Sequence, residues 1–129
     1  MVTFRSLRVW QRSIALAKAV YKISDRFPKE ERFGLTSQVR RAAVSVASNI
    51  AEGYGRKSQL EFCHFLSNAR GSAAEVETQL ILARELGFVS ESDLKEADAM
   101  AGDCYRMLDA LMAAIKERTA KQVKKKVEA

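Results

Sequence analysis

The chain has 129 residues, 47% of them apolar, with 22 basic residues against 16 acidic ones for a net charge of +6. That length allows one domain with a core of its own, held without disulfides or metal. No apolar run approaches the roughly 18–20 residues of a membrane span, and Met1–Arg12 lacks the apolar block of a secretory leader, so a cytoplasmic protein without membrane attachment is expected.

A 3–4 spacing of apolar residues recurs in four segments and predicts four amphipathic helices. The first carries Leu7, Trp10, Ile14, Ala17 and Tyr21 and ends near Asp25, because Phe27-Pro28 takes the chain out of the helical region. Pro28 with Glu30 and Glu31 starts a single turn that Gly34 ends. The second helix runs from about Thr36 to Glu52 on Val39, Ala43, Val46 and Ile50, with Gly53 as its C-terminal glycine. Ser58 and Glu61 have capping-box spacing ahead of the third helix, which carries Phe62, Leu66, Ala69, Ala73, Val76, Leu80 and Ala83 and closes at Gly87. Ser90 and Asp93 restart the chain for the fourth, built on Leu94, Ala97, Ala101, Cys104, Leu108, Leu111 and Ile115. The expected fold is all-α, an antiparallel up-down-up-down four-helix bundle over residues 1–118. Past Arg118 the seam stops, so residues 119–129 are expected as a Lys-rich tail, frayed or disordered.

Two features exceed what a lone bundle needs. Helix 1 carries a second apolar row, Val9, Leu16, Val20 and Ile23, and helix 4 adds Met100, Met107 and Met112. These seven are candidate oligomer-interface residues, since a helix apolar on two sides usually has a second partner. Gly71 and Gly102 fall inside helices, where each costs about 1 kcal/mol against alanine, and close backbone approach would offset that cost.

Charge is segregated along the chain. Met1–Ser24 holds Arg5, Arg8, Arg12, Lys18 and Lys22 with no acid, while Glu75–Asp109 has nine acids against three bases. Lys116–Ala129 is basic again through Lys116, Arg118, Lys121, Lys124, Lys125 and Lys126. Such segregation points to a polyanion partner, to oppositely charged subunit contacts, or to a solvated surface. Candidate nucleic-acid-binding residues are Arg5, Arg8 and Arg12 at helical spacing, Arg40 and Arg41, Arg56 and Lys57 in the loop before helix 3, and Lys121, Lys124, Lys125 and Lys126. Free N–H groups at the start of helix 3 could hold a phosphate beside Arg56 and Lys57, or the loop is an ordinary turn with exposed bases. Of Arg40 and Arg41, one reaches solvent and the other pairs with an acid such as Glu52 or Glu75. Tyr54 is the candidate base-stacking residue. Asn49, Glu52 and Glu75, with Arg56, form a candidate structural polar network.

Catalytic chemistry finds no support: Gly53-Tyr54-Gly55-Arg56-Lys57-Ser58 lacks the spacing of a phosphate-binding loop, and there is no HExxH motif or dinucleotide glycine pattern. His64 is the sole histidine, so neither a zinc site nor a paired Glu-x-x-His di-iron site can be assembled, and no metal or cofactor is expected. Cys63 and Cys104 fall on apolar faces and read as reduced core residues.

The runs Phe33-Gly34-Leu35-Thr36-Ser37-Gln38, Arg40-Arg41-Ala42-Ala43-Val44-Ser45-Val46, Asn49-Ile50-Ala51-Glu52-Gly53 and Ala69-Arg70-Gly71-Ser72-Ala73-Ala74-Glu75 resemble the bacterial four-helix bundle family encoded in intervening sequences of 23S ribosomal RNA genes. Leu7-Arg8-Val9-Trp10 and Phe27-Pro28-Lys29-Glu30-Glu31 fit the same pattern, and the likeness runs from about Phe4 to Ile115. The resemblance implies a homopentameric ring. It also suggests a relative, the accessory protein of diversity-generating retroelements, which forms a similar basic ring and contacts nucleic acid and a reverse transcriptase. In such a ring basic helix 1 of one subunit, through Arg8 and Arg12, would face the acidic stretch of the next. The expected function is a non-enzymatic homo-oligomeric module binding RNA or DNA mainly through phosphate. The alternative is an oligomeric adaptor for a protein partner, with no nucleic-acid role.

Overall fold

The computed structural model describes residues 3–129. Helices α1 (Arg8–Ser24), α2 (Leu35–Tyr54), α3 (Gln59–Glu85) and α4 (Glu91–Glu128) account for most of it, with single 3-10 turns at Phe4–Ser6 and Lys29–Glu31. Among the described residues there is no strand, and no helix is long and apolar enough to cross a membrane. The four helices form a bundle in which α1 packs on α2 and α4, and α3 packs on the same two. Leu16, Ile50, Leu66, Leu80 and Leu108 are fully buried at its centre.

The two rows of α1 exchange the roles expected of them. Val9, Leu16, Val20 and Ile23 are buried in the chain's own core and are not an oligomer interface. Ser13 is the register position that completes this seam; it is fully buried, its hydroxyl donating to the Trp10 carbonyl at 2.6 Å. A polar residue in mid-seam disguised the true inner face. The row read as core is the outer edge: Leu7, Trp10 and Ala17 are half-buried against the core, while Ile14 and Tyr21 are exposed. Met112 is likewise core, and Met100 and Met107 pack half-buried against it, so none of the three stands free as an outer face.

Local chemistry sets the ends. Ser58 accepts from the Glu61 N–H at 3.1 Å, and Ser90 and Asp93 form a reciprocal capping box. Gly87, at φ +77°, closes α3: its N–H donates to the Arg84 carbonyl and that of Phe88 to the Ala83 carbonyl, both at 2.9 Å. Gly53 does not end α2, which continues to Tyr54; a Cβ there would sit 2.6 Å from that of Phe65. It is a glycine of helix crossing. Gly71, by contrast, has nothing within 4 Å, and Gly102 meets only the Arg106 guanidinium, so the close approach expected at both is absent within the chain.

The tail is helical. Residues 119–128 continue α4 as helix, with every side chain from Lys116 onward exposed. The apolar seam ends, yet Ala, Lys, Gln, Glu and Arg propagate helix well, Lys121 pairs with Glu117 at 3.2 Å, and the terminal lysines complement the helix dipole.

Candidate nucleic-acid interface

Several of the candidate bases are already engaged. Arg12 donates to Asp103 at 2.6 Å, and Arg106 donates to the other oxygen of the same carboxylate at 2.6 Å. The Arg12 hydrogen bond, with that of Arg106, holds the Asp103 carboxyl below its usual range. Arg40 is a clasp between α1 and α2: it reaches Ser24 Oγ at 2.8 Å and Asp25 at 2.9 Å, with its guanidinium 4.7 Å from the Tyr21 ring centroid. Its acid is thus Asp25, not Glu52 or Glu75, while Arg41 beside it is exposed. Arg5 does not share a helical row with Arg8 and Arg12, because it lies in the separate turn Phe4–Ser6 and Leu7 is extended. Its guanidinium covers Phe4.

The acidic stretch is met inside the chain. Besides Arg12 with Asp103, Arg26 pairs with Asp93 at 2.6 Å and Arg70 with Asp109. Arg12 therefore answers its own α4, and of the two arginines expected at a neighbouring subunit only Arg8 makes no ion pair among the described residues.

Arg8 and Arg41 stand exposed elsewhere, and a further group of bases lies where α2 hands over to α3. Arg56 and Lys57 are exposed in the turn, and Arg56 and Lys116 line one groove between α3 and α4. Arg56 is held by Glu52 at 2.8 Å, an exposed i,i+4 pair of small strength, and its guanidinium lies 4.7 Å from the Phe65 ring centroid. His64 meets Phe65 edge-on at 5.7 Å. Farther along, α4 carries exposed Lys121, Lys124, Lys125 and Lys126 beyond the start of α3, which reaches only as far as Thr119 and Ala120 in the adjoining groove.

Two expectations about this turn fail. Tyr54 is not a loop residue free for stacking; it ends α2 and packs edge-on against Phe62 at 5.9 Å. The polar network is differently composed. Asn49 and Ser72 both donate to Ser45 Oγ, at 2.9 and 3.0 Å, linking α2 to α3, whereas Glu52 serves only Arg56 and exposed Glu75 joins neither among the described residues. Ser45 and Ser72 were missed because serine at helical spacing reads as surface. Phe65, Arg70 and Lys116 were missed because their neighbours come from other helices.

Cys63 and Cys104 are free and buried, and burial pushes the Cys104 thiol up to about 11, away from nucleophilic use. Among the described residues no cluster of His, Cys, Asp and Glu is arranged to hold a metal.

The model of the family described as 23S rRNA-intervening sequence protein matches residues 5–110. The chain belongs to that family. A solved member of the S23 ribosomal protein family, a Bacteroides thetaiotaomicron protein of unknown function, superposes with a TM-score of 0.75 at 19% identity, covering 81% of this chain and 97% of its own. At that identity the likeness concerns the fold alone. No curated protein matches the chain. The family match ends at residue 110, so the exposed part of α4 lies outside it, whereas the turn with Arg56 and Lys57 lies within.

Proposed function

We propose that this protein is a non-enzymatic, homo-oligomeric module that holds RNA or DNA mainly through phosphate, at one end of an antiparallel up-down-up-down bundle. The carrying observation is the grouping of Arg56, Lys57 and Lys116 against the start of α3, with the α4 lysines beyond. Phosphate neutralisation by such a group supplies sequence-independent affinity that falls steeply with salt. The antiparallel order is supported by the pairing of Arg12 on α1 with Asp103 and of Arg26, just past the end of α1, with Asp93, which matches rising numbers along α1 and its following turn with falling ones on α4. Self-association is supported by two dissimilar surfaces. Around α2, Tyr21, Phe33 and Val44 are exposed beside Arg32 and Arg41; at the end of α3, Ile81, Leu82 and the following Leu86 are exposed beside Glu85. Glu85 is paired with Arg84, so it is the shared apolar character of two different faces that suits a head-to-tail contact, which closes as a ring, five-membered in this proposal.

The test is fluorescence anisotropy of a labelled structured RNA across a salt series, with excess competitor, comparing the full chain with one ending at Arg118. Retained binding by the shorter chain, falling steeply with salt, is the expected result. Absence of binding, or its complete loss with the tail, would overturn the reading and move the search to protein partners.

A further inference from the structure

A phosphate-only surface has no use for apolar groups, yet Leu60, in the first turn of α3, is 83% exposed at the mouth of the α3–α4 groove. The groove is lined by the apolar Leu60, Cys63, Phe65 and Met112 and by the polar Arg56, His64 and Lys116, among others. Its acids are occupied: Asp109 is paired with Arg70, and Glu61 faces the Ser58 cap at the helix N-terminus, where its charge is favoured. Arg56 is paired with Glu52, so Lys116 is the lining base with no ion pair among the described residues. Three of the lining groups are planar, and two of them meet the third: the Arg56 guanidinium lies over Phe65 and the His64 ring is edge-on to it.

We infer that this groove takes an unpaired nucleotide, its base against Leu60 and the Arg56–Phe65–His64 group and its phosphate toward Lys116 and Lys57. The inference rests on the nucleic-acid reading above and deepens it: the ligand is single-stranded RNA or DNA, or an unpaired loop, not a duplex. The apolar side chains of the groove lie between two packed helices, where a single flat base can reach them and the stacked, paired bases of a duplex cannot. Guanidinium planes and the rings of phenylalanine and histidine are the surfaces on which splayed bases stack. A docked protein helix would instead favour a row of aliphatic holes, and here a guanidinium and an imidazole interrupt the row.

The experiment measures anisotropy at low salt with a labelled single-stranded RNA of about twelve nucleotides, within the usual site size, and with the same strand annealed to its complement. The full chain is expected to prefer the single strand by about tenfold, and Leu60→Ala combined with His64→Ala to remove most of that preference while leaving duplex affinity in place. Both side chains are exposed, so the variant folds, which circular dichroism verifies. Equal affinity for the two probes, or an unchanged preference in the double variant, overturns the groove assignment and leaves the phosphate reading standing. Failure to bind either probe overturns both.

Discussion

Arg12 of α1 and Asp103 of α4 lie 2.6 Å apart, so the basic first helix spends one of its charges on the acidic segment of its own chain. Asp103→Asn removes that partner, and Arg106 loses its own as well. Both pairs are partly exposed and screened by solvent, so stability should fall only slightly. Polyanion binding should tighten and its log–log salt slope steepen by up to about one for each guanidinium that reaches phosphate. An RNA titration at several salt concentrations reads both; an unchanged slope would place Arg12 away from the bound strand.

Two glycines inside helices should respond in opposite directions. Gly53→Ala forces a methyl to within 2.6 Å of Phe65 Cβ and 3.1 Å of Phe62 Cδ1, with loss of about 1–3 kcal/mol. Gly71→Ala enters open space and should add up to about 1 kcal/mol through helix propensity. Urea unfolding of the two variants gives the comparison. If Gly71→Ala also dissociates the oligomer in native mass spectrometry, the close approach missing inside the chain lies between chains.

Leu16→Ala should cost each chain about 2–5 kcal/mol, because Leu16 is fully buried among the four helices. Val44→Asp, on the exposed face of α2, should leave the stability of one chain within about 0.5 kcal/mol and weaken self-association instead. Light scattering paired with denaturation separates the two outcomes. An intact oligomer in Val44→Asp would remove that face from the interface.

Acid should unfold the protein partly through Asp93. Hydrogen bonds from the Ser90 N–H and hydroxyl, then the charge of Arg26, depress its carboxyl below the usual carboxylate value. A depressed acid contributes stability that is present above the unfolded-state value and lost as pH falls through the folded one. Asp93→Asn should therefore flatten the decline of melting temperature below about pH 4. Glu77 has the opposite sign. Burial, with Asp98 nearby, raises its carboxyl, so the charged form destabilises the fold above that raised value. Glu77→Gln should raise the melting temperature at pH 7 by about 1–3 °C, and the gain should vanish as Glu77 protonates in mild acid.

Most of the fold was legible from period and punctuation. The caps at Ser58 and Ser90, the closure at Gly87 and the inner faces of α2, α3 and α4 all follow from spacing that local chemistry obeys. The inner face of α1 was misread because Ser13 occupies a core register position, and a hydroxyl satisfied by its own helix backbone is invisible as core in a hydrophobicity pattern. The interface was less legible than the fold. Basic residues can be counted in sequence, but whether each is spent on a neighbour is decided between helices. Arg12 and Arg40 have partners 91 and 15 residues away. The groove with Phe65 and Lys116 exists only once α3 and α4 are side by side.

The last buried side chain of α4 is Ile115, and the helix runs on to Glu128. At 1.5 Å per residue Lys125 stands about 15 Å beyond that point, nearly twice the screening length of about 8 Å at physiological salt. The carboxylates of the bundle body are farther still, so counterions hide them from the lysines at the tip. The molecule is electrostatically two objects on one helix: a body in which Arg12, Arg26, Arg40, Arg70 and Arg106 meet acids of their own chain, and a tip whose bases outnumber Glu117 and Glu128.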